Sequence, residues 1–215
     1  MAGTDEAGGT GAATAEAVPG HGGPRSAGTR QAILEAARSA FAAQGYDRTT
    51  IRSVARTAGV DASMVMRYFG SKAGLFTAAA TADLQVPSLD ELPTAERGEA
   101  LVRHLVGRWE NPATGEGLML LLRTAATSDE VAVQLQSVLG RLITGSVAST
   151  GVDRVEERAA LIQTQMLGLA LCRYILRQET LAALTVEQVV AAVTPSVQRY
   201  LETEDLAGVD GSGRA

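Results

Sequence analysis

Residues 59–72 read GVDASMVMRYFGSK. Gly59 tolerates the left-handed backbone that a tight turn requires, Val60 can point inward, and Asp61 is a good helix N-cap. The spacing predicts a helix over about 62–69, with Val65 and Phe69 one turn apart on a packing face. Ser63, Met64 and Arg67 then fall mainly on the opposite side. Upstream, Thr49 or Thr50 is the candidate N-cap of another short helix that runs to about Thr57. Two short helices joined by a three- or four-residue glycine turn form a helix-turn-helix, whose second helix fits a DNA major groove. Ser71 is placed to cap a further helix, with Leu75, Phe76 and Ala79 facing inward and Lys72, the chain's only lysine, in its first turn.

The charge is distributed to match. The 215-residue chain has a net charge of −5, but residues 25–82 carry eight basic against three acidic side chains, a net of +5. Residues 1–24 carry −3 and residues 83–215 carry −7. A basic unit joined to an acidic remainder suggests that only the first part meets a polyanion. The other reading is chance variation in surface charge.

Around this unit the chain divides readily. Residues 1–24 are Gly/Ala-rich without apolar periodicity and read as a disordered tail. From Thr29, Ile33, Leu34, Ala37 and Phe41 recur at helical spacing, and Gly45 is a natural terminator of that helix. The helix-turn-helix domain is assigned to 25–86, because Pro87 and Pro93 end the helix that follows it. Residues 87–203 show only helical patterns, at about 94–110, 116–127, 129–149, 153–179 and 185–203, and 204–215 read as a C-terminal tail. Pro195 inside the last helix removes a backbone bond and predicts a kink. The expected fold is all-α: a three-helix head followed by a helical bundle.

Composition excludes several alternatives. The single cysteine, Cys172, excludes an intrachain disulfide framework and fits a reducing cytosol, so the expected location is cytoplasmic. No uninterrupted apolar run approaches the roughly 18 residues of a membrane span, since MLGLALCRYIL is cut by Arg173. There is no basic-then-apolar leader at the N-terminus. Two histidines, one of them His21 in the tail, are too few for a histidine-rich metal cluster, and no cofactor is implied. A G-x-S-x-G elbow, a phosphate-binding P-loop and a dinucleotide glycine fingerprint are all missing, which argues against an enzyme.

The segment TRQAILEAARSAFAAQGYDRTTIRSVARTAGVDASMVMRYFGSK, residues 29–72, closely resembles the DNA-binding domain of the TetR family of bacterial transcriptional regulators. The likeness runs to about residue 80. It lies in the first-helix pattern through the two threonines, the A..AGV turn and the YF.SK ending, all in register. LGLALCRYIL and TPSVQRYL look like the last two long helices of one large subgroup. The resemblance implies that Thr49 and Thr50 hold phosphate, and that Ala62, Ser63, Met64 and Arg67 approach base edges. It places Tyr68 at the boundary of backbone and groove, Lys72 on phosphate, and Phe69 in packing. Met66 stands where the family usually has a phosphate-holding tyrosine. Ser53 stands where an acidic residue often completes a capping box, which predicts a weaker cap on the second helix.

For Arg67 a bidentate guanine contact, a phosphate contact and a solvated face stay open, and Met64 and Met66 suit either a thymine methyl or packing. Arg25 and Arg30 read as a DNA-contacting arm or as stray linker charge. In the second domain His104, Trp109, Met119, Arg123, Met166, Tyr174 and Cys172 are candidate ligand-pocket residues or ordinary core. Segment 153–179 is apolar on more than one face, which a homodimer would cover. The expected function is a homodimeric repressor that binds a palindromic double-stranded operator and is released by a small hydrophobic effector. An activator, a ligand-independent regulator and, more distantly, a helical enzyme are the alternatives.

Overall fold

A computed structural model describes residues 24–202, and both predicted tails fall outside it save for Pro24. Among the described residues there are ten α-helices and no strand. The head comprises α1 (Pro24–Arg48), α2 (Ile51–Ala58), α3 (Ala62–Phe69) and α4 (Lys72–Thr81). Its core is Ile33, Leu34, Ala37 and Phe41 of α1 closed by Val54, Val65, Leu75 and Phe76. The Phe76 ring lies 4.7 Å from that of Phe41 and 5.0 Å from that of Tyr46.

The corners follow from local chemistry. Gly45 breaks α1 at φ 75°, as expected, but one more turn follows it before the chain leaves at Thr49. The Thr49 hydroxyl donates to the carbonyls of Gly45, at 2.8 Å, and Ala40, at 3.2 Å, which fastens the end of α1. Thr50 is the N-cap of α2. The expectation that Ser53 weakens this cap is overturned, because its hydroxyl takes the place of a carboxylate. The Ser53 amide donates to Thr50 Oγ1 at 3.1 Å and the Thr50 amide donates to Ser53 Oγ at 3.2 Å, so the box is complete.

The turn predicted from Gly59 is a Schellman closure. Gly59 lies at φ 68°, its amide donates to Arg56 O at 3.3 Å, and Val60 donates to Ala55 O at 3.0 Å. Asp61 caps α3 by accepting from the Ser63 amide at 2.7 Å, and hydrogen bonding to Ser63 holds its carboxyl below the usual carboxylate range.

The body comprises α5 (Arg97–Glu110), α6 (Pro112–Ala125), α7 (Asp129–Ala148), α8 (Val155–Ala170), α9 (Glu179–Ala182) and α10 (Val186–Glu202). α6 begins four residues earlier than the apolar pattern suggests, because Asn111 accepts from the Ala113 amide and Pro112 occupies the first helical position. α10 runs through Pro195 and packs along α5, where the Gly98 amide donates to Gln198 Oε1 at 2.6 Å. α7 is long and apolar enough to span a membrane by length and composition, yet it packs against α4, α6 and α8.

The single helix expected over 153–179 is instead divided. α8 ends at Ala170, a π-helical turn covers Leu171–Ile175, and Arg177 enters the left-handed region at φ 51°. The wide turn accompanies an inward Arg173, which donates to Glu110 Oε1 at 3.1 Å and to the Leu181 carbonyl at 2.5 Å. Apolar periodicity across 153–179 cannot register this break, since the residues that cause it are polar.

α4 lies close under α3. An added Cβ on Gly74 would sit 2.2 Å from the Phe69 carbonyl oxygen, inside any permitted contact. Gly74→Ala gains helix propensity, yet we expect it to destabilise the fold by about 1–3 kcal/mol through backbone displacement. A urea melt of both proteins checks the sign. Thr49→Val, which removes both hydroxyl bonds at the end of α1, should likewise cost about 1–3 kcal/mol in the same assay.

Candidate nucleic-acid interface

The helix-turn-helix presents α3 on the outside of the head. Val65 is fully buried and Phe69 is half-buried, so they anchor it as expected. The exposed row is Ser63, Met66 and Arg67, at i, i+3 and i+4. Met66 is 44% exposed, whereas Met64 and Ala62 are half-buried. Two methionines of similar chemistry are thus separated by helix phase, with Met66 rather than Met64 in the outward row beside Arg67.

The side chains around α3 are fixed by cations over rings. Arg67 lies 5.5 Å from the Tyr68 ring and Arg30 lies 5.5 Å from the Phe69 ring. The Tyr68 hydroxyl donates to the Ser26 carbonyl at 3.4 Å, which ties α3 to the start of α1. Lys72 donates to the Asp47 carbonyl at 3.0 Å, with its ammonium 4.4 Å from the centre of the Tyr46 ring. An ammonium has three N–H donors, so one bond to a carbonyl leaves capacity for an external anion. Tyr46 and Asp47 are therefore positioning residues that sequence reasoning missed. Tyr46 was legible within GYDRTT as a motif position, but its ring's place under Lys72 depends on how α1 meets α4.

Thr49 is placed differently from expectation. It is 1% exposed and its hydroxyl is spent on the carbonyls of α1, so it holds the corner rather than presenting an oxygen to solvent. Thr50 is exposed at the N-terminus of α2, with Arg52 and Arg56 exposed along the same helix. The helix ends differ electrically. α3 is capped by the ionised Asp61, whereas α2 and α4 are capped by neutral Thr50 and Ser71. The positive ends of α2 and α4 thereby carry no charged cap.

The predicted pocket residues do not come together. Trp109 and Met166 line an apolar crevice of about 40 Å³ between α5, α6, α7 and α8, walled by Leu105, Leu118, Leu139 and Ile143. Met119 and Arg123 line a different cavity, between the head and α6. His104 and Tyr174 line neither. Burial, then the nearby Arg108, lowers the His104 pKa. Tyr174 stacks on Trp109 at 5.8 Å and donates to Glu110 at 2.8 Å, with its phenol pushed up to about 12, first by burial and then by that bond. Cys172 is half-buried in the π turn. No group of three or more potential metal ligands is clustered among the described residues.

Comparison with known proteins agrees with this architecture. A family model described as bacterial regulatory proteins, tetR family, matches residues 33–79. A second, described as tetracyclin repressor-like, C-terminal domain, matches 95–201. The HTH-type transcriptional repressor AcnR of Corynebacterium glutamicum is 38% identical over 61 residues, which cover 28% of this chain and 32% of that protein. A TetR-family regulator from Streptomyces coelicolor is 30% identical with a TM-score of 0.63, covering 85% of this chain and 99% of that one. NalD, a secondary repressor of a multidrug efflux pump in Pseudomonas aeruginosa, shares the fold at 19% identity and a TM-score of 0.56, covering 81% of this chain and 97% of its own. With a basic helix-turn-helix head, a helical body and a full-length relative at this identity, the chain belongs to the TetR family of bacterial transcriptional regulators.

Proposed function

We propose that this regulator is a homodimeric repressor that holds a palindromic operator and releases it when a small molecule binds. The observation that carries DNA reading is the exposed row Ser63, Met66 and Arg67, flanked by two helix N-termini with neutral caps and by Lys72. In this reading Thr50 and Lys72 hold phosphates and set the register. Arg67 contacts a guanine edge, Met66 packs on a thymine methyl, and Ser63 adds a polar contact. Ala62 and Met64 lie at the margin of the groove, and Tyr68 acts mainly by fixing α3 to α1.

Dimerisation is supported by the outer face of α8 and the π turn. Leu161, Leu171 and Leu176 are exposed there beside Ala160 and Gly168, and α10 exposes Ala191, Ala192 and Pro195. Arg158, fully buried, ties these two helices together by donating to the carbonyls of Asp153 and Tyr200, both at 2.7 Å. A two-fold pair of such subunits would present its reading helices to half-sites about one DNA turn, roughly 34–36 Å, apart. Selection of bound sequences from random DNA tests the whole reading. A palindrome is expected, and absence of any enriched sequence would sink it. Where that sequence lies relative to the promoter separates repression from activation.

Within that reading Lys72→Ala should weaken binding to all sequences. It should also lower the log–log salt slope by about 0.9 for each phosphate no longer held, nearly two for a dimer. Arg67→Ala should instead relax preference at one base position per half-site, by about 1–3 kcal/mol. Identical, sequence-independent losses in both variants would remove Arg67 from base reading. Met66 has a test of its own. Replacing each operator thymine in turn by deoxyuridine removes only the 5-methyl group. One position per half-site should lose affinity with the native protein and lose nothing further with Met66→Ala.

A further inference from the structure

The cavity that holds Met119 and Arg123 has a volume of about 460 Å³, within the usual range for small-molecule sites, while the crevice inside the body has about 40 Å³. It is a cleft between the head and α6. Arg38, Phe41 and Ala42 of α1 and Phe76, Ala79, Ala80 and Asp83 at α4 form one wall. Much of α6 from Pro112 to Arg123 forms the other, and Arg177 also lines it. We propose that this cleft binds an amphipathic organic anion, a carboxylate carried on an aliphatic or aromatic body.

The charge of the walls selects the ligand's sign. Arg38 is already engaged: it donates to the Ala79 carbonyl at 3.0 Å and pairs with Asp83 at 2.8 Å. Arg123 and Arg177 form no ion pair among the described residues, and Glu116 is the only other acid in the walls. Glu116 and Arg123 are seven residues apart on α6, so about 10.5 Å separates them along the axis. The Arg173–Glu110 contact holds the 173–177 segment near the N-terminal end of α6, the end where Glu116 lies. Among the charged wall residues, Arg38 pairs with Asp83, and the two remaining cations, Arg123 and Arg177, outnumber the one remaining acid, Glu116, with Arg123 toward the C-terminal end of α6. A ligand carboxylate pairs with Arg123, and its apolar body runs along Met119, Leu120, Phe41 and Ala80.

The consequence for DNA rests on the effector-release reading above, whereas the site itself does not. The test uses the full-length protein, decanoate as the probe and decanol as its uncharged counterpart, in titration calorimetry. Decanoate should bind more tightly than decanol. Arg123→Glu should weaken decanoate roughly tenfold or more, and Arg123→Lys should restore much of the affinity. Trp109, the chain's one tryptophan, lines the crevice and not the cleft, so its emission should stay unchanged. No binding up to the solubility limit overturns the proposal. So does decanoate affinity that ignores Arg123→Glu, or binding that shifts Trp109 emission and ignores that variant. If decanoate binds with the expected signature but leaves operator affinity unaltered, the site stands and the effector-release reading falls.

Discussion

α4 is the part on which the rest depends, because it has almost no face of its own to give to water. Ala73, Leu75, Phe76, Thr77, Ala79 and Thr81 are all buried within ten residues. One side closes the head core through Phe76 on Phe41 and Tyr46, and the other packs on α6 and α7. Leu121, Val131 and Leu135 of the body consequently belong to the same apolar cluster as Ile33 and Val65 of the head. The four helices of the head end at Thr81, but the core does not stop there. Interiors at crystal-like density transmit displacement instead of absorbing it, so movement of α6 or α7 must be felt at α4. Ala and Gly make this shared packing possible: Gly117 on α6 would place a Cβ 3.9 Å from Ala80, close enough for the two helices to pack without large side chains between them.

The same helix also begins beside the proposed interface. Its first residue is Lys72, whose ammonium bridges to the Asp47 carbonyl over the Tyr46 ring. One short helix thus joins the proposed interface, the head core and the body. Arginine is the other basic residue throughout, and Lys72 differs by placing a compact ammonium with three rotatable donors at this point.

The head was legible in the sequence because its signals are local. A cap, a glycine turn and a packing pair at i, i+4 each act within a few residues, so Gly59, Asp61 and Val65 were placed correctly and the cap of α2 was narrowed to Thr49 or Thr50. The misreadings occur where a residue's role depends on something distant or on a substitute chemistry. Ser53 completes its box with a hydroxyl. Thr49 turns inward, where its hydroxyl meets two carbonyls of α1. In the body the apolar periodicity located the helices but not the break at the π turn, where Arg173 reaches Glu110, 63 residues away. The scattered pocket candidates failed for the same reason: residue type says that Met119 and Met166 are adaptable, and only tertiary packing says that they face different cavities.

The two cavities differ in what they can do to the head. The crevice is lined by helices of the body and by Leu84 just beyond α4, with no residue of α1 or α4 in its walls. Filling it would have to separate α6 or α7 from their neighbours before α4 moved. The cleft is bounded directly by α1 and α4 on one side and α6 on the other. A ligand shifts an equilibrium only as far as it prefers one state over the other. A body ligand gains that preference indirectly, through the shape of the shared core. A cleft ligand touches both moving parts, so any change in their separation alters how well it is held. Since that coupling is reciprocal, operator DNA that fixes the head against α6 must change the affinity of the cleft by the same factor.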